Sequence, residues 1–163
     1  MSSDKISVAV CMGSDSDWPV MRAATEVLTE LGVSNKALVL SAHRMPREMT
    51  AFAQSARENG FDVIIAGAGG AAHLPGMLAA LTTLPVIGVP VAATKLDGMD
   101  ALLSIVQMPA GIPVATVAID NSKNAGLLAA RILGVADPDL AQKLERYAIE
   151  LNAQAAAKQS NLI

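Results

Sequence analysis

Residues 62–77 read DVIIAGAGGAAHLPGM, a short apolar run followed by a turn made almost entirely of glycine and alanine. The run from Asp62 to Ala66 predicts a buried strand, and the residues near His73 to Thr83 predict a helix. A strand that is apolar on both faces and leads directly into a helix is typical of a parallel sheet covered on both sides.

The same strand-then-helix pattern recurs along the rest of the chain. It predicts strands at Ile6–Cys11, Lys36–Leu40, Pro85–Val89 and Val114–Ile119, and helices at Trp18–Leu31, Pro46–Asn59, Gly98–Gln107, Ala125–Leu133 and Asp139 to about Lys158. We therefore predict an α/β fold of three layers (αβα), with a five-stranded parallel sheet in the flavodoxin-like order 2-1-3-4-5 and a long C-terminal helix. Residues 1–163 form one domain. We expect its tail, about 155–163, to be partly disordered or packed on a neighbouring subunit.

The composition limits the classes of partner. The net charge is −3 and no basic run occurs, which argues against a nucleic-acid groove. No apolar stretch is long enough to span a membrane, and the N-terminus has no basic leader, so we expect a cytoplasmic protein without a signal peptide. Charged residues make up 17% of the chain, against about 25% in a typical soluble domain. We therefore expect part of the surface to be buried in a homo-oligomer.

Three polar loops are predicted to meet at one edge of the sheet. In the order 2-1-3, the loops after the first three strands converge where the strand order reverses, and ligands bind at such a point. The loops are 13–17 (GSDSD), 41–44 (SAHR) and 67–73 (GAGGAAH). This convergence is the main indication of a functional site.

The loops differ in what they offer. Ser14, Ser16 and Asp17 suit an anion and ribose hydroxyls at a helix N-terminus, but ordinary helix capping explains them about equally well. His43 can exchange a proton near neutral pH, and its position at the switch point favours this role over that of a surface histidine. Arg44 suits a phosphate or carboxylate. The glycines and alanines allow a small ligand close to the backbone, or simply a tight turn, and we expect His73 to be structural, bonding to backbone or a neighbouring subunit.

Other chemistries find little support. The two histidines and Cys11 are not spaced as metal ligands, so we expect no metal site. Cys11 lies within an apolar run, and we expect it to be a buried apolar residue. The glycine-rich run lacks the spacing of a dinucleotide or P-loop site, and neither Ser14 nor Ser41 lies in a serine-hydrolase elbow. Lys95 and the segment 120–124 are expected in loops at the same sheet edge, at the rim of the site or as solvated turns.

The blocks 13–17, 41–46, 66–77 and 103–109 resemble the PurE family, in the family's order and over nearly the whole chain before the last helix. The resemblance implies an ATP-independent isomerase of purine biosynthesis that converts 5-(carboxyamino)imidazole ribonucleotide to 4-carboxy-5-aminoimidazole ribonucleotide, without a cofactor. Relatives that carboxylate aminoimidazole ribonucleotide directly carry lysine where Arg44 stands, which favours the mutase. Met45 and Ala110 depart from the family pattern at positions that carry no chemistry in it.

The resemblance also implies roles for single residues. His43 would be the general acid and base, Ser14, Ser16 and Arg44 would hold the phosphate, and Asp17 the ribose. Carbon dioxide would be trapped against Ser41, Ala68, Gly69 and Gly70. The family further implies a homo-octamer with sites at subunit junctions, and functional coupling to an ATP-dependent synthetase that makes the substrate.

Three rival functions are weighed against the mutase from the sequence. The direct carboxylase shares the fold and a similar site. A flavodoxin-like nucleotide-binding module would hold flavin mononucleotide or a related ligand, and flavin sites usually place aromatic rings against the flavin. The chain has only two Phe, one Tyr and one Trp, which leaves few rings for that role. A receiver-like signalling domain would need an acidic cluster paired with a lysine, and Lys95 does not follow a fitting strand end.

Overall fold

The computed structural model describes residues 7–162. Within that range the strands are β1 (Val8–Met12), β2 (Asn35–Val39), β3 (Val63–Gly69), β4 (Val86–Val91) and β5 (Ala115–Thr116). The helices are α1 (Trp18–Glu30), α2 (Pro46–Ser55), α3 (Leu74–Ala79), α4 (Met99–Val106), α5 (Ser122–Gly134) and α6 (Pro138–Ala157), with 3-10 turns at Asp15–Asp17 and Lys158–Leu162.

The strands form one parallel sheet in the order β2-β1-β3-β4-β5. The predicted order is therefore confirmed. β1 lies between β2 and β3, with Val8 beside Asn35 on one side and Val63 on the other. The chain places β2 on one side of β1 and then adds β3, β4 and β5 on the other side. The strand order therefore reverses between β1 and β3, and the loops after these two strands open at the same edge of the sheet.

Alternate side chains of β1, β3 and β4 point into two separate cores. Ala9, Cys11 and Ile64 pack with the buried faces of α2, α3 and α4. Val8, Val10 and Ile65 lie on the opposite face, against α1, α5 and the start of α6. Because both faces are covered, β1, β3 and β4 are buried along nearly their whole length. This is why they appear in the sequence as continuous apolar runs.

The fifth strand is shorter than predicted, and Pro90 explains the difference. The backbone N–H of Val117 donates to Gly88 O (3.0 Å), and the ladder would next require an N–H at residue 90. Proline has none, so the regular pairing stops. The chain rejoins β4 only at Asp120, whose N–H donates to Pro90 O (2.9 Å) with a φ of +58°.

The helical ends also differ from the sequence expectation. Helices α2 and α3 end four residues earlier than predicted, at Ser55 and Ala79. α6 begins at Pro138 after an Asp137 side-chain cap, and residues 155–162 are helical and exposed. Ile163 and the first residue of the first predicted strand, Ile6, lie outside the described residues. Within 7–162, no helix has the length and apolar content needed to cross a membrane.

Candidate active site

The loop after β1 folds on itself through a capping box. Ser14 Oγ accepts a hydrogen bond from Ser16 N (3.3 Å), and Asp17 Oδ2 accepts one from Ser14 N (3.1 Å). Capping, one of the two interpretations of this loop, is therefore present. The loop also lines a cavity, so its hydroxyls are available to a ligand as well.

Asp17 is the buried acid of the site, with 5% of its surface exposed. Burial raises the pKa of its carboxyl above the usual value, because the charged form loses water. Hydrogen bonds from the backbone of Ser14 and Gly13, and the positive charge of Arg44, oppose that rise. A ligand hydroxyl that donates to Asp17 would supply part of the solvation that burial removes.

Arg44 joins the first two loops. Its Nε donates to Ser41 Oγ and its second terminal nitrogen donates to Gly13 O, at 3.2 and 3.1 Å. Ser41 is itself buried and also accepts from the Arg44 backbone N–H. A guanidinium has five N–H donors, so these contacts fix its plane while leaving donors free for an anion.

His43 and His73 form a hydrogen-bonded pair. His43 Nε2 lies 2.8 Å from His73 Nδ1, and the rings meet edge to face with centroids 4.9 Å apart. One of these two nitrogens carries the hydrogen and the other accepts it. We expected His73 to bond to backbone or to a neighbouring subunit, whereas the structure places it against the candidate catalytic residue.

The glycine-rich end of β3 makes a close backbone wall. A Cβ added to Gly69 would lie 2.5 Å from the Cβ of Ala93 and 3.0 Å from Val91 O, which leaves no room for a side chain. Gly70 has a φ of +63°. Glycine at both positions lets the chain after β4 approach β3 and confine the space beside it.

These groups line one cavity of about 370 Å³. It contains every predicted site residue except Gly70, which lies next to it. Of the other lining residues, Gly13, Ala42, Ala71 and His73 belong to the three predicted loops but had no assigned binding role, and Leu74 and Ala93 lie outside those loops. Trp18, Lys95 and the segment 120–124 are not part of its lining. No Phe, Tyr or Trp lines it, which leaves a flavin ring without an aromatic partner.

The structure also has a larger groove, separate from this cavity. This groove of about 1050 Å³ lies at the amino ends of β4 and β5, and its lining has Arg57 and Glu58 but no histidine. In the range 7–162, no group of three or more His, Cys, Asp or Glu side chains is arranged to hold a metal ion. The convergence of proton-transfer and anion-binding groups therefore points to the smaller cavity.

Comparison with known proteins identifies the family. A family model described as AIR carboxylase matches residues 7–154. The N5-carboxyaminoimidazole ribonucleotide mutase of Pyrococcus horikoshii is 56% identical over 162 residues, covering 99% of this chain and 92% of that protein. The mutase of the same name from Aquifex aeolicus is 62% identical over 138 residues, covering 85% and 83%.

A solved structure supports the fold independently. The crystal structure of Treponema denticola PurE superposes with a TM-score of 0.85 at 26% identity, covering 95% of this chain and 97% of that one. The resemblance to the PurE family is confirmed by these matches. With a family match over residues 7–154 and relatives more than half identical, the chain belongs to the AIR carboxylase family.

Proposed function

We propose that this chain is an N5-carboxyaminoimidazole ribonucleotide mutase of purine biosynthesis, an isomerase that needs no ATP. The observation that carries the proposal is the meeting of His43, Arg44 and the buried Asp17 in one cavity of about 370 Å³. Nearly full-length relatives named as this mutase are more than half identical to the chain. The enzyme converts N5-carboxyaminoimidazole ribonucleotide to 4-carboxy-5-aminoimidazole ribonucleotide.

His43 carries the proton in both halves of the reaction. The bond between the exocyclic nitrogen and the carboxyl carbon breaks, carbon dioxide leaves, and the nitrogen takes a proton from His43. The ring carbon then attacks carbon dioxide and returns a proton to His43. One imidazole suffices, because the reaction has no net proton change. The hydrogen bond to His73 orients the ring of His43.

Substrate binding follows the polarity of the cavity. The phosphate binds to Ser14, Ser16 and the free guanidinium donors of Arg44, which are held in place by Ser41 and Gly13. The ribose hydroxyls donate to Asp17. These contacts are remote from the reacting atoms, so they supply the binding energy that positions the ring.

Carbon dioxide is held beside the ring between its release and its recapture. The backbone and small side chains of Ser41, Ala68, Gly69 and Gly70 surround this space with little polar surface, which keeps out water. Confinement avoids the entropic cost of recapturing carbon dioxide from solution, a cost of several kcal/mol in favourable cases.

The direct carboxylase is the second candidate, because the family description is that of AIR carboxylase. It would use the same cavity but take carbon dioxide from solution. Arg44 at the phosphate end and the full-length likeness to proteins named as mutases favour the isomerase. A lyase activity, the release of carbon dioxide, would be a side reaction of the same chemistry.

We further propose that the chain works in the cytoplasm as a homo-oligomer, an octamer by family likeness. Helix α4 supports assembly, since it is apolar on both sides. Ala101 and Ile105 are buried, while Met99, Leu103 and Val106 are 51%, 53% and 46% exposed. Exposed apolar side chains grouped on one helix are normally covered in an assembly. The carbamate substrate is unstable, so an ATP-dependent synthetase would have to supply it.

The proposed function is tested with synthetic N5-carboxyaminoimidazole ribonucleotide, without ATP or added bicarbonate. We expect rapid conversion by the wild type and a loss of about a hundredfold to ten-thousandfold in His43→Asn. Lys36→Gln, which removes an exposed charge near the opposite end of β2, serves as the matched control and should convert substrate at the wild-type rate. Circular dichroism and gel filtration check that all three proteins fold and assemble alike.

Each alternative outcome has a distinct meaning. A His43→Asn protein as active as the wild type would remove His43 from the chemistry. A wild type that is inert on the carbamate, but carboxylates aminoimidazole ribonucleotide when given carbon dioxide, would be the direct carboxylase. Inactivity in both assays would overturn the enzymatic assignment.

A further inference from the structure

The segment between β4 and α4, residues 92–98, forms a wall of the cavity. Ala93 lines the cavity, and its Cβ is so close to Gly69 that an added Cβ there would lie 2.5 Å away. The methyl group of Thr94 would lie 3.3 Å from a Cβ added to Gly70. This segment, the 92–98 loop, therefore covers the glycine-rich end of β3.

Carboxylates hold the 92–98 loop at two points. Asp120 Oδ1 accepts from the backbone N–H of Ala92 (2.9 Å), at the start of the loop. The Thr94 hydroxyl donates to Asp100 Oδ2, and Asp100 Oδ1 accepts from the N–H of Ala101. The Thr94 hydrogen bond lowers the pKa of Asp100, as expected for a bond to the charged form.

The loop depends on these bonds because it buries little of itself. Residues 92–97 are all exposed, and Gly98 is the loop's buried residue. Asp97 and Gly98 have φ values of +50° and +84°, and Asp120 has +58°. Nonglycine residues adopt such values at a cost in energy, which surrounding contacts must offset. Here the offsetting contact of Asp120 is its bond to the loop.

We propose that Asp120 and Asp100 are positioning residues that hold Ala93 against Gly69, so that the 92–98 loop closes the space in which carbon dioxide is kept. This inference rests on the proposed mutase function. It assigns the loop a role in retaining the released carbon dioxide, distinct from substrate binding and from proton transfer. Loosening the loop therefore lets carbon dioxide escape or exchange before recapture.

The test measures the retention of label. Substrate labelled at its carboxyl carbon is converted in an excess of unlabelled bicarbonate, and the fraction of label kept in the isolated product is measured. Thr94→Val keeps the methyl group that packs over Gly70 but loses the hydroxyl, while Thr94→Ser keeps the hydroxyl. We expect exchange with the bicarbonate pool to rise on the order of tenfold in Thr94→Val, since one charge-assisted hydrogen bond is lost. Thr94→Ser should restore retention.

A second matched pair tests the other attachment. Asp120→Gly removes the carboxylate and tolerates the positive φ, so the fold is not strained, whereas Asp120→Asn keeps an acceptor. We expect Asp120→Gly to lose label and Asp120→Asn to keep it. The control is Thr25→Val, which removes a hydroxyl that donates within α1 to Arg22 O. Its KM, kcat and retention should match the wild type.

The results separate this inference from the proposed function. A wild type that forms no product overturns the mutase proposal itself. A wild type that forms product with its label kept, together with equal retention in Thr94→Val and Asp120→Gly, overturns the role of the loop alone. A loss of label in Thr25→Val equal to that in Thr94→Val also overturns it, because the effect would not be specific to the loop.

Discussion

Gly69→Ala places a methyl group where the cavity wall is tightest. The new Cβ would lie 2.5 Å from the Cβ of Ala93 and 3.0 Å from Val91 O, whereas ordinary contacts lie at 3.4–4 Å. Either the 92–98 loop or the end of β3 must therefore move by about 1 Å, and overpacking of this kind costs about 1–3 kcal/mol. β3 is paired with β1 as far as Gly67 and with β4 at Gly69 itself, so we expect the exposed loop to move.

The measurement is urea unfolding followed by circular dichroism, at one protein concentration for all variants. A decrease of about 2 kcal/mol in the free energy of unfolding lowers the urea midpoint by about 1 M, when that free energy falls by about 2 kcal/mol per M of urea. The double variant Gly69→Ala/Ala93→Gly removes the clash between the two Cβ atoms. Adding Gly69→Ala to the Ala93→Gly protein should therefore lower the midpoint much less than adding it to the wild type. An unchanged midpoint in Gly69→Ala, or a double variant that recovers nothing, would refute the close approach of loop and strand.

Two further predictions concern buried titratable groups. Burial raises the pKa of Asp17 above its usual 3.8, so the folded protein binds the carboxyl proton more tightly than the unfolded chain does. This proton binding stabilises the folded state fully below pH 3.8, and the stabilisation is lost as pH rises through the pKa of the folded state. The free energy of unfolding of wild type minus that of Asp17→Asn should therefore fall from acid to neutral pH, and a difference that stays constant or rises would contradict this. Cys11 is fully buried and burial raises its pKa. A thiol reagent should label it rapidly in urea and scarcely in the native protein, as mass spectrometry would show, and rapid native labelling would contradict its burial.

The sequence predicted the features that depend on local pattern. The apolar runs located β1, β3 and β4 to within three residues at each end, because strands buried on both faces admit few polar side chains. The sheet order was the flavodoxin-like order expected for a chain of five strand-then-helix units. The loops 13–17 and 41–44 were identified because their polar residues follow strands whose ends meet.

The features that the sequence missed arise from contacts distant along the chain. His73 lies 30 residues from His43, and no periodicity links the two rings. Ala93 has no functional group, so only its position against Gly69 shows that it belongs to the cavity. The early end of β5 depends on a proline in the neighbouring strand, which a reading of β5 alone does not include.

The interruption of the ladder at Pro90 also affects how the protein behaves in concentrated solution. Unpaired strand edges recruit strands from other chains and so promote aggregation, and a protein with mean hydropathy of +0.42 and 17% charged residues has little surface charge to resist it. β5 presents only Ala115 and Thr116 at one edge of the sheet, and β2 carries an exposed Lys36 at the other. Neither edge favours strand addition. In the homo-oligomer that we propose, the subunits would therefore meet through side-chain surfaces, where contacts are specific and can close into a finite assembly.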